Sequence, residues 1–281
     1  MSIQTIKKQL WYLKAKLSLN ATLRAGKMPI LVHQMGKVGS TTICSELRRN
    51  SGLPPVFQTH FISRASLEEA NRITDDWGRK STHLKVGASL MPLFEGRDET
   101  SQPWRIVTVA RDPVARQLSD VYQNPEVVGS ANGATPDSNH VIEYLMDYFV
   151  NFDEKEDYVC QWFEREIIDQ MNIPLYETEF PKDKNYQLIE HDGIRLLAFR
   201  IEDYLDILNE GVAFNEWLGQ QVQMNASRSN SASDRDSFKS YLRVKDGLKI
   251  PVTALEKIYD TKFARHFYAD SRDALIRKWS S

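Results

Sequence analysis

The chain has 281 residues, 41% hydrophobic and 26% charged, with a formal net charge of −2 and a pI near 6.3. That composition describes an ordinary globular protein with a core large enough to need no staples. Its balance excludes an overall pull toward nucleic acid or an anionic membrane, so any anion site must be local. Two distant cysteines, Cys44 and Cys160, exclude a disulfide framework or a thiolate zinc site, and Cys44 reads as a small core residue.

In chain order, residues 1–27 place Lys7, Lys8, Lys14, Lys16, Arg24 and Lys27 around Leu10, Trp11, Tyr12 and Leu13. This reads as an N-terminal helical extension that packs on the domain or, alternatively, touches a membrane surface. No signal peptide and no apolar run near 18 residues is visible, so the expected location is cytoplasmic. Met28 to Gln34 is a short apolar run between Gly26 and Gly36 and reads as a buried strand. Ser40 to Asn50 reads as a helix with Ser40 or Thr41 as its cap and Ile43 and Leu47 on one face. Pro55 to Ile62 reads as a second strand, Ser66 to Lys80 as a helix, and Arg105 to Ala110 as a third strand. Strands alternating with helices favour a parallel sheet.

Asn124 to His140, rich in Gly, Ser, Asn and Pro, reads as a mobile loop and candidate lid. Val141, Tyr144, Leu145, Tyr148 and Phe149, then Trp162, Phe163 and Ile167, mark helices whose aromatics belong to the core. Tyr186 to Glu190 and Ile194 to Arg200 form a strand pair joined at His191-Asp192-Gly193. From Tyr204 the chain is mostly helical, interrupted at Asn225 to Ser233. The whole reads as one α/β domain over residues 1–281, with a P-loop-like central parallel sheet and a mostly helical C-terminal part.

The chemistry concentrates in Gln34-Met-Gly-Lys-Val-Gly-Ser-Thr-Thr42. Gly36 and Gly39 let the backbone curl with its N–H groups inward. Lys37 adds a point charge, and Ser40, Thr41 and Thr42 add hydroxyls at a helix N-terminus, which suits a phosphate-like group. The lysine precedes the second glycine, the reverse of the nucleotide triphosphatase order, which argues against an ATPase or GTPase. A second element is Val109-Ala-Arg-Asp-Pro-Val-Ala-Arg-Gln-Leu-Ser119. Here Arg111 sits where a strand gives way to a helix, with Ser119 about two helical turns further on.

These two elements, in this order on two strand–helix junctions, resemble the PAPS-dependent sulfotransferase superfamily. The likeness is nearest to carbohydrate sulfotransferases and to bacterial proteins grouped under capsular polysaccharide synthesis. The resemblance implies a P-loop-like parallel sheet flanked by helices. Gly36, Lys37, Val38, Gly39, Ser40, Thr41 and Thr42 would hold the 5′-phosphosulfate of PAPS, and Arg111 and Ser119 its 3′-phosphate. Sulfuryl transfer to a carbohydrate hydroxyl would leave PAP, with no metal required. His60, in Gln58-Thr-His-Phe61, is the candidate base, with Lys37 as the charge stabiliser. His33 and His83 are weaker candidates, and Glu95 is a rival base. Arg200 either approaches the cofactor or pairs with Glu202 or Asp203, and Arg228 and Arg235 lie in a loop that would fold over the nucleotide. The alternatives are a Mg-ATP phosphotransferase using Asp112 as a metal ligand, or a non-catalytic binding module in polysaccharide assembly.

Overall fold

The computed structural model describes residues 3–76, 82–96, 103–131, 133–225 and 236–280. The chain divides into two compact units, Met1–Val109 with Glu164–Ala226, and Ala110–Phe163 with Ser227–Ser281.

The first unit is built on a five-stranded, mostly parallel sheet in the order β2-β1-β3-β5-β4. The strands are β1 (Ile30–His33), β2 (Val56–Thr59), β3 (Trp104–Ala110), β4 (Tyr186–His191) and β5 (Ile194–Arg200). β1 runs parallel to β2 and to β3, whereas β4 and β5 form an antiparallel hairpin. Ile30, Leu31 and Val32 are fully buried, as expected of a central strand covered on both faces. The hairpin turns at Asp192-Gly193, both with positive φ, which a two-residue turn requires.

Helices α1 (Ile3–Arg24), α2 (Ser40–Arg49), α3 (Arg64–Asp76) and α4 (Thr82–Glu95) accompany the first strands. α2 buries Ile43, Cys44 and Leu47 and packs on β1 and β2. Burial pushes the Cys44 thiol up to about 12, so it is an inert core residue as read. The cap differs from expectation. Gly39, not Ser40 or Thr41, is the N-cap, and no side chain caps the helix. Its φ of 80° is left-handed, which suits glycine, and frees Ser40 to begin the helix proper.

α4 approaches the segment after β2 through Gly87. A Cβ there would lie 2.0 Å from the Phe61 carbonyl oxygen, so only glycine allows the contact. In the same unit a π-helical turn spans Phe163–Asp169 from Glu164 onward.

The second unit is helical, with α5 (Pro113–Gln123), α6 (Ser138–Val150) and α7 (Tyr158–Trp162). In the first unit, α8 (Tyr204–Glu210) and α9 (Val212–Leu218) follow β5, and α9 packs on it. The second unit resumes with α10 (Asp236–Gly247), α11 (Val252–Tyr259), α12 (Lys262–Tyr268) and α13 (Arg272–Ser280). Val141, Leu145, Phe149, Trp162 and Phe163 are buried, and Phe163 clusters with Phe263 and Phe267. The expected loop at 124–140 carries more order than its composition suggested. A 3₁₀ turn spans Pro125–Val128, and α6 begins at Ser138 because the Asp137 carboxylate accepts from the Asn139 and His140 N–H groups.

Among the described residues no helix is long and apolar enough to cross a membrane.

Candidate functional site

The loop between β1 and α2 holds two left-handed residues, Lys37 at φ 74° and Gly39 at φ 80°. For lysine this conformation costs about 1–2 kcal/mol and persists only where the surroundings impose it. Gly39 is enforced twice. A Cβ would strain the backbone and also stand 3.0 Å from Ile201 Cδ1 and 3.6 Å from the Tyr204 ring. Met35 and Val38 are fully buried, so they anchor the loop while Lys37 and Gly36 remain partly exposed. With its side chain buried, Val38 has only its backbone to offer a ligand at this loop. At α2 the first N–H groups meet no side-chain cap, and Thr41 is exposed beside half-buried Thr42. The Thr42 and Ile43 amides turn back to the Gly39 carbonyl, so the chemistry at this helix start that suits a tetrahedral anion is the Ser40 and Thr41 amides, the Lys37 ammonium and the exposed Thr41 hydroxyl.

The end of β2 grips this loop at both ends. The Gln58 amide donates to Ser40 Oγ at 2.6 Å, and His60 Nδ1 lies 2.7 Å from the Gln34 carbonyl oxygen. A carbonyl only accepts, so Nδ1 carries a proton, which in a neutral ring would leave the lone pair to Nε2. Gln58 lies on β2 and His60 is the first residue past its end, two positions on. That spacing was available in the sequence, and it is the signal that could have found Gln58. His83 packs edge-on against His60, with ring centroids 5.2 Å apart. Burial holds the His83 imidazole below its usual value, outweighing the hydrogen bond to the Gln58 backbone. His60 and the loop residues are thus brought together within the first unit.

Behind His60 lies a buried polar cluster that sequence reading missed. Glu166, 0% exposed, accepts from the Ile62 and Ser63 N–H groups at 2.7 and 3.1 Å and from the Ser63 hydroxyl. His33, the last residue of β1, places Nε2 3.4 Å from the same carboxylate and Nδ1 2.8 Å from Thr59 Oγ1. Burial alone would raise the Glu166 carboxyl. The bonds from His33, Ser63 and Ile62 outweigh it and hold Glu166 below the usual carboxylate range. His33 therefore belongs to a structural network. The network clamps the segment that carries His60, fixed on one side by Gln34 and on the other by Glu166.

Arg111 and Ser119 belong to the second unit. Arg111 directly follows β3, and Ser119, 8% exposed, lies on α5. Between them, Asp112 caps α5 by accepting from Val114 N at 3.1 Å. It also accepts from the Tyr259 hydroxyl and the Trp279 indole, both at 2.8 Å, and from Lys278 at 3.3 Å. These donors engage both oxygens of a carboxylate that is 1% exposed, and the bonds to Tyr259 and Trp279 tie the start of α5 to α11 and α13.

Other candidates are engaged elsewhere. Glu95 is an exposed partner of Arg64 at 3.8 Å. Arg200 pairs with Asp203 at 2.6 Å and with Asn185 at 3.2 Å. Arg228 and Arg235 lie outside the described residues. An open cavity of about 670 Å³ between Phe152–Glu154 and Thr253–Asp260 involves neither candidate element, nor does one of about 410 Å³ at the β4–β5 turn.

No curated protein and no solved structure matches the chain. A family model described as NKWYS, putative capsular polysaccharide synthesis protein, matches residues 135–269, from just before α6 to just after α12. The string Asn-Lys-Trp-Tyr-Ser itself is absent from the chain. Residues 34–42, His60, Arg111 and Ser119 all precede the matched stretch. Over slightly less than half its length, then, the chain is similar to a family of capsular polysaccharide synthesis proteins.

Proposed function

We propose that this protein is a sulfotransferase that takes a sulfuryl group from PAPS and attaches it to a hydroxyl of a carbohydrate acceptor. The observation that carries this reading is the loop of two left-handed residues, Lys37 and Gly39, opening on the uncapped start of α2, with His60 fixed beside it. The residues suit a phosphosulfate. Gly36 has open space where a Cβ would stand, so an anion can approach the backbone there. The similarity to capsular polysaccharide synthesis proteins over residues 135–269 supports a polysaccharide as the acceptor.

In this reading Gly36, Lys37, Val38, Gly39, Ser40, Thr41 and Thr42 hold the 5′-phosphosulfate through backbone amides, the ammonium and hydroxyls. Arg111 and Ser119 bind the 3′-phosphate, the guanidinium offering a planar fork to its oxygens. Bound PAPS supplies an activated sulfuryl group whose S–O bond to phosphate breaks as the bond to the acceptor oxygen forms. Lys37 counters the charge that gathers on the departing phosphate oxygens. His60 Nε2 takes the proton of the acceptor hydroxyl, which the tautomer set by Gln34 permits. Glu166 serves as a positioning residue by holding the Ile62–Ser63 backbone.

Transfer of label from ³⁵S-PAPS to an unsulfated bacterial polysaccharide tests this. Label in the polysaccharide that is lost in Lys37→Ala supports the reading. Turnover retained in that variant, or label transfer that requires neither Lys37 nor His60, would defeat it.

A further inference from the structure

Helix α1 is apolar on two sides. Its inner side meets α4, where the Tyr12 hydroxyl lies 3.3 Å from Ser89 Oγ, Lys85 stands over the Tyr12 ring, and Leu19 is buried. Its outer side carries Leu10, Leu13 and Leu17, which are 53%, 53% and 68% exposed. The spacings of three and four residues align these leucines along one stripe. Lys14 and Lys16, both exposed, lie to either side of it, and exposed Arg24 continues the same face a further two turns on. The helix already satisfies its packing against α4 without these leucines, so folding of this unit does not account for their apolar character.

Charge selects the occupant. Residues 1–27 contain six cations and no carboxylate, in a chain whose net charge is −2. A second copy of the helix would set like charges against each other beside the leucines, which is unfavourable. An anionic bilayer instead takes the leucines below its headgroups and pairs its phosphates with the flanking Lys and Arg. The lysine stems are long enough to reach the headgroups while the leucines stay submerged.

We infer that the outer face of α1 docks the protein on an anionic membrane surface, lying in the interface and not spanning it. This inference stands apart from the proposed enzymatic activity. A polysaccharide-modifying enzyme would gain from it where its acceptor is held at a membrane, but the docking face functions whether or not catalysis is as proposed.

Flotation of the full chain with vesicles tests it. The chain should float with phosphatidylcholine vesicles containing 25% phosphatidylglycerol and not with phosphatidylcholine alone. Bound protein should fall as salt rises from 50 to 500 mM. Leu13→Glu with Leu17→Glu should reduce partitioning at least tenfold. Lys14→Gln with Lys16→Gln should reduce it by roughly fivefold per charge. All four positions are exposed, so circular dichroism and the melting midpoint should be unchanged. Absence of flotation with the anionic vesicles, or flotation indifferent to both pairs of substitutions, overturns the inference. A concentration-dependent dimer in sedimentation that the leucine substitutions abolish, without vesicle binding, assigns the face to a second copy and overturns it equally.

Discussion

His60 Nδ1 lies 2.7 Å from the carbonyl oxygen of Gln34, the residue that opens the β1–α2 loop. This one bond orients the imidazole and keeps a proton on Nδ1, so that a neutral ring would have Nε2 as its basic nitrogen. The amide of asparagine can reproduce the Nδ1–H donor but has no basic nitrogen. His60→Asn should therefore fold and bind PAP as the parent does, while label transfer falls by about 10²–10⁴. Parallel calorimetry and transfer rates check this. Loss of PAP binding together with rate would mean that His60 serves the loop's shape and not proton transfer.

Lys37 sits at a backbone angle better suited to glycine. Lys37→Gly should relieve that strain and raise stability by up to about 1 kcal/mol in urea denaturation. The same change would remove the charge-assisted bond proposed between Lys37 and the cofactor, so PAP affinity should fall by roughly 10- to 100-fold. Opposite signs for stability and affinity in one variant would mark Lys37 as a residue held in strain for binding.

Gly87 carries a different constraint, since a Cβ there would lie 2.0 Å from the Phe61 backbone oxygen. Phe61 follows His60 directly, so the clash displaces the clamped segment itself. Gly87→Ala should cost roughly 3 kcal/mol and lower transfer as well, read by denaturant midpoint and rate. Gly52→Ala, at a site with open space around it, is the matched control and should be close to neutral.

Asp112 gathers Val114 N, the Tyr259 hydroxyl, the Trp279 indole and Lys278 onto one buried carboxylate. Asp112→Ala leaves several buried donors without acceptors and should cost at least about 3 kcal/mol. Asp112→Asn keeps an acceptor oxygen and should cost less. A fully folded alanine variant with parent stability would refute the structural role given to this residue.

Acid should weaken the fold through two groups. Burial pushes His266 down to about 4, from an ordinary value of 6.5. The folded state thus favours the neutral ring, so this contribution is complete above pH 6.5 and is lost as pH falls toward 4. It amounts to a few kcal/mol at most, at about 1.4 kcal/mol per unit. Glu166, also lowered, stabilises above the ordinary carboxylate range, and its contribution disappears as pH falls through its lowered value. Melting midpoints from pH 7.5 to 4 should therefore decline first through the His266 window. His266→Phe should flatten the upper part of that decline.

The strands, most helix positions and the loop between β1 and α2 were legible because their signals are local. Buried β1 begins with the apolar run Ile30-Leu31-Val32, and Gly36, Lys37 and Gly39 announce a loop within four positions. The left-handed angle of Lys37 was not legible, because lysine carries no mark of it and the surroundings impose it. The cap falls at Gly39 and not at Ser40 or Thr41 for a related reason. Ser40 and Thr41 have capping chemistry, but the turn needs glycine's angle and takes Ser40 into the helix, where Gln58 binds it. The clamp between Glu166 and the Ile62–Ser63 backbone joins residues over 100 positions apart, which no local pattern encodes. Arg200 illustrates the converse. Its pairing with Asp203, three residues on, was foreseeable from spacing alone.

The central claim is that Lys37 and the start of α2 bind the phosphosulfate end of PAPS while Arg111 and Ser119 bind its 3′-phosphate. Calorimetric titration with PAP in the absence of Mg²⁺, repeated with Lys37→Ala and Arg111→Ala, tests it most directly. The account predicts micromolar binding to the parent chain and at least tenfold weaker binding to each variant, with the fold intact by circular dichroism. No PAP binding to the folded parent, together with Mg²⁺-dependent binding of ATP, would contradict it.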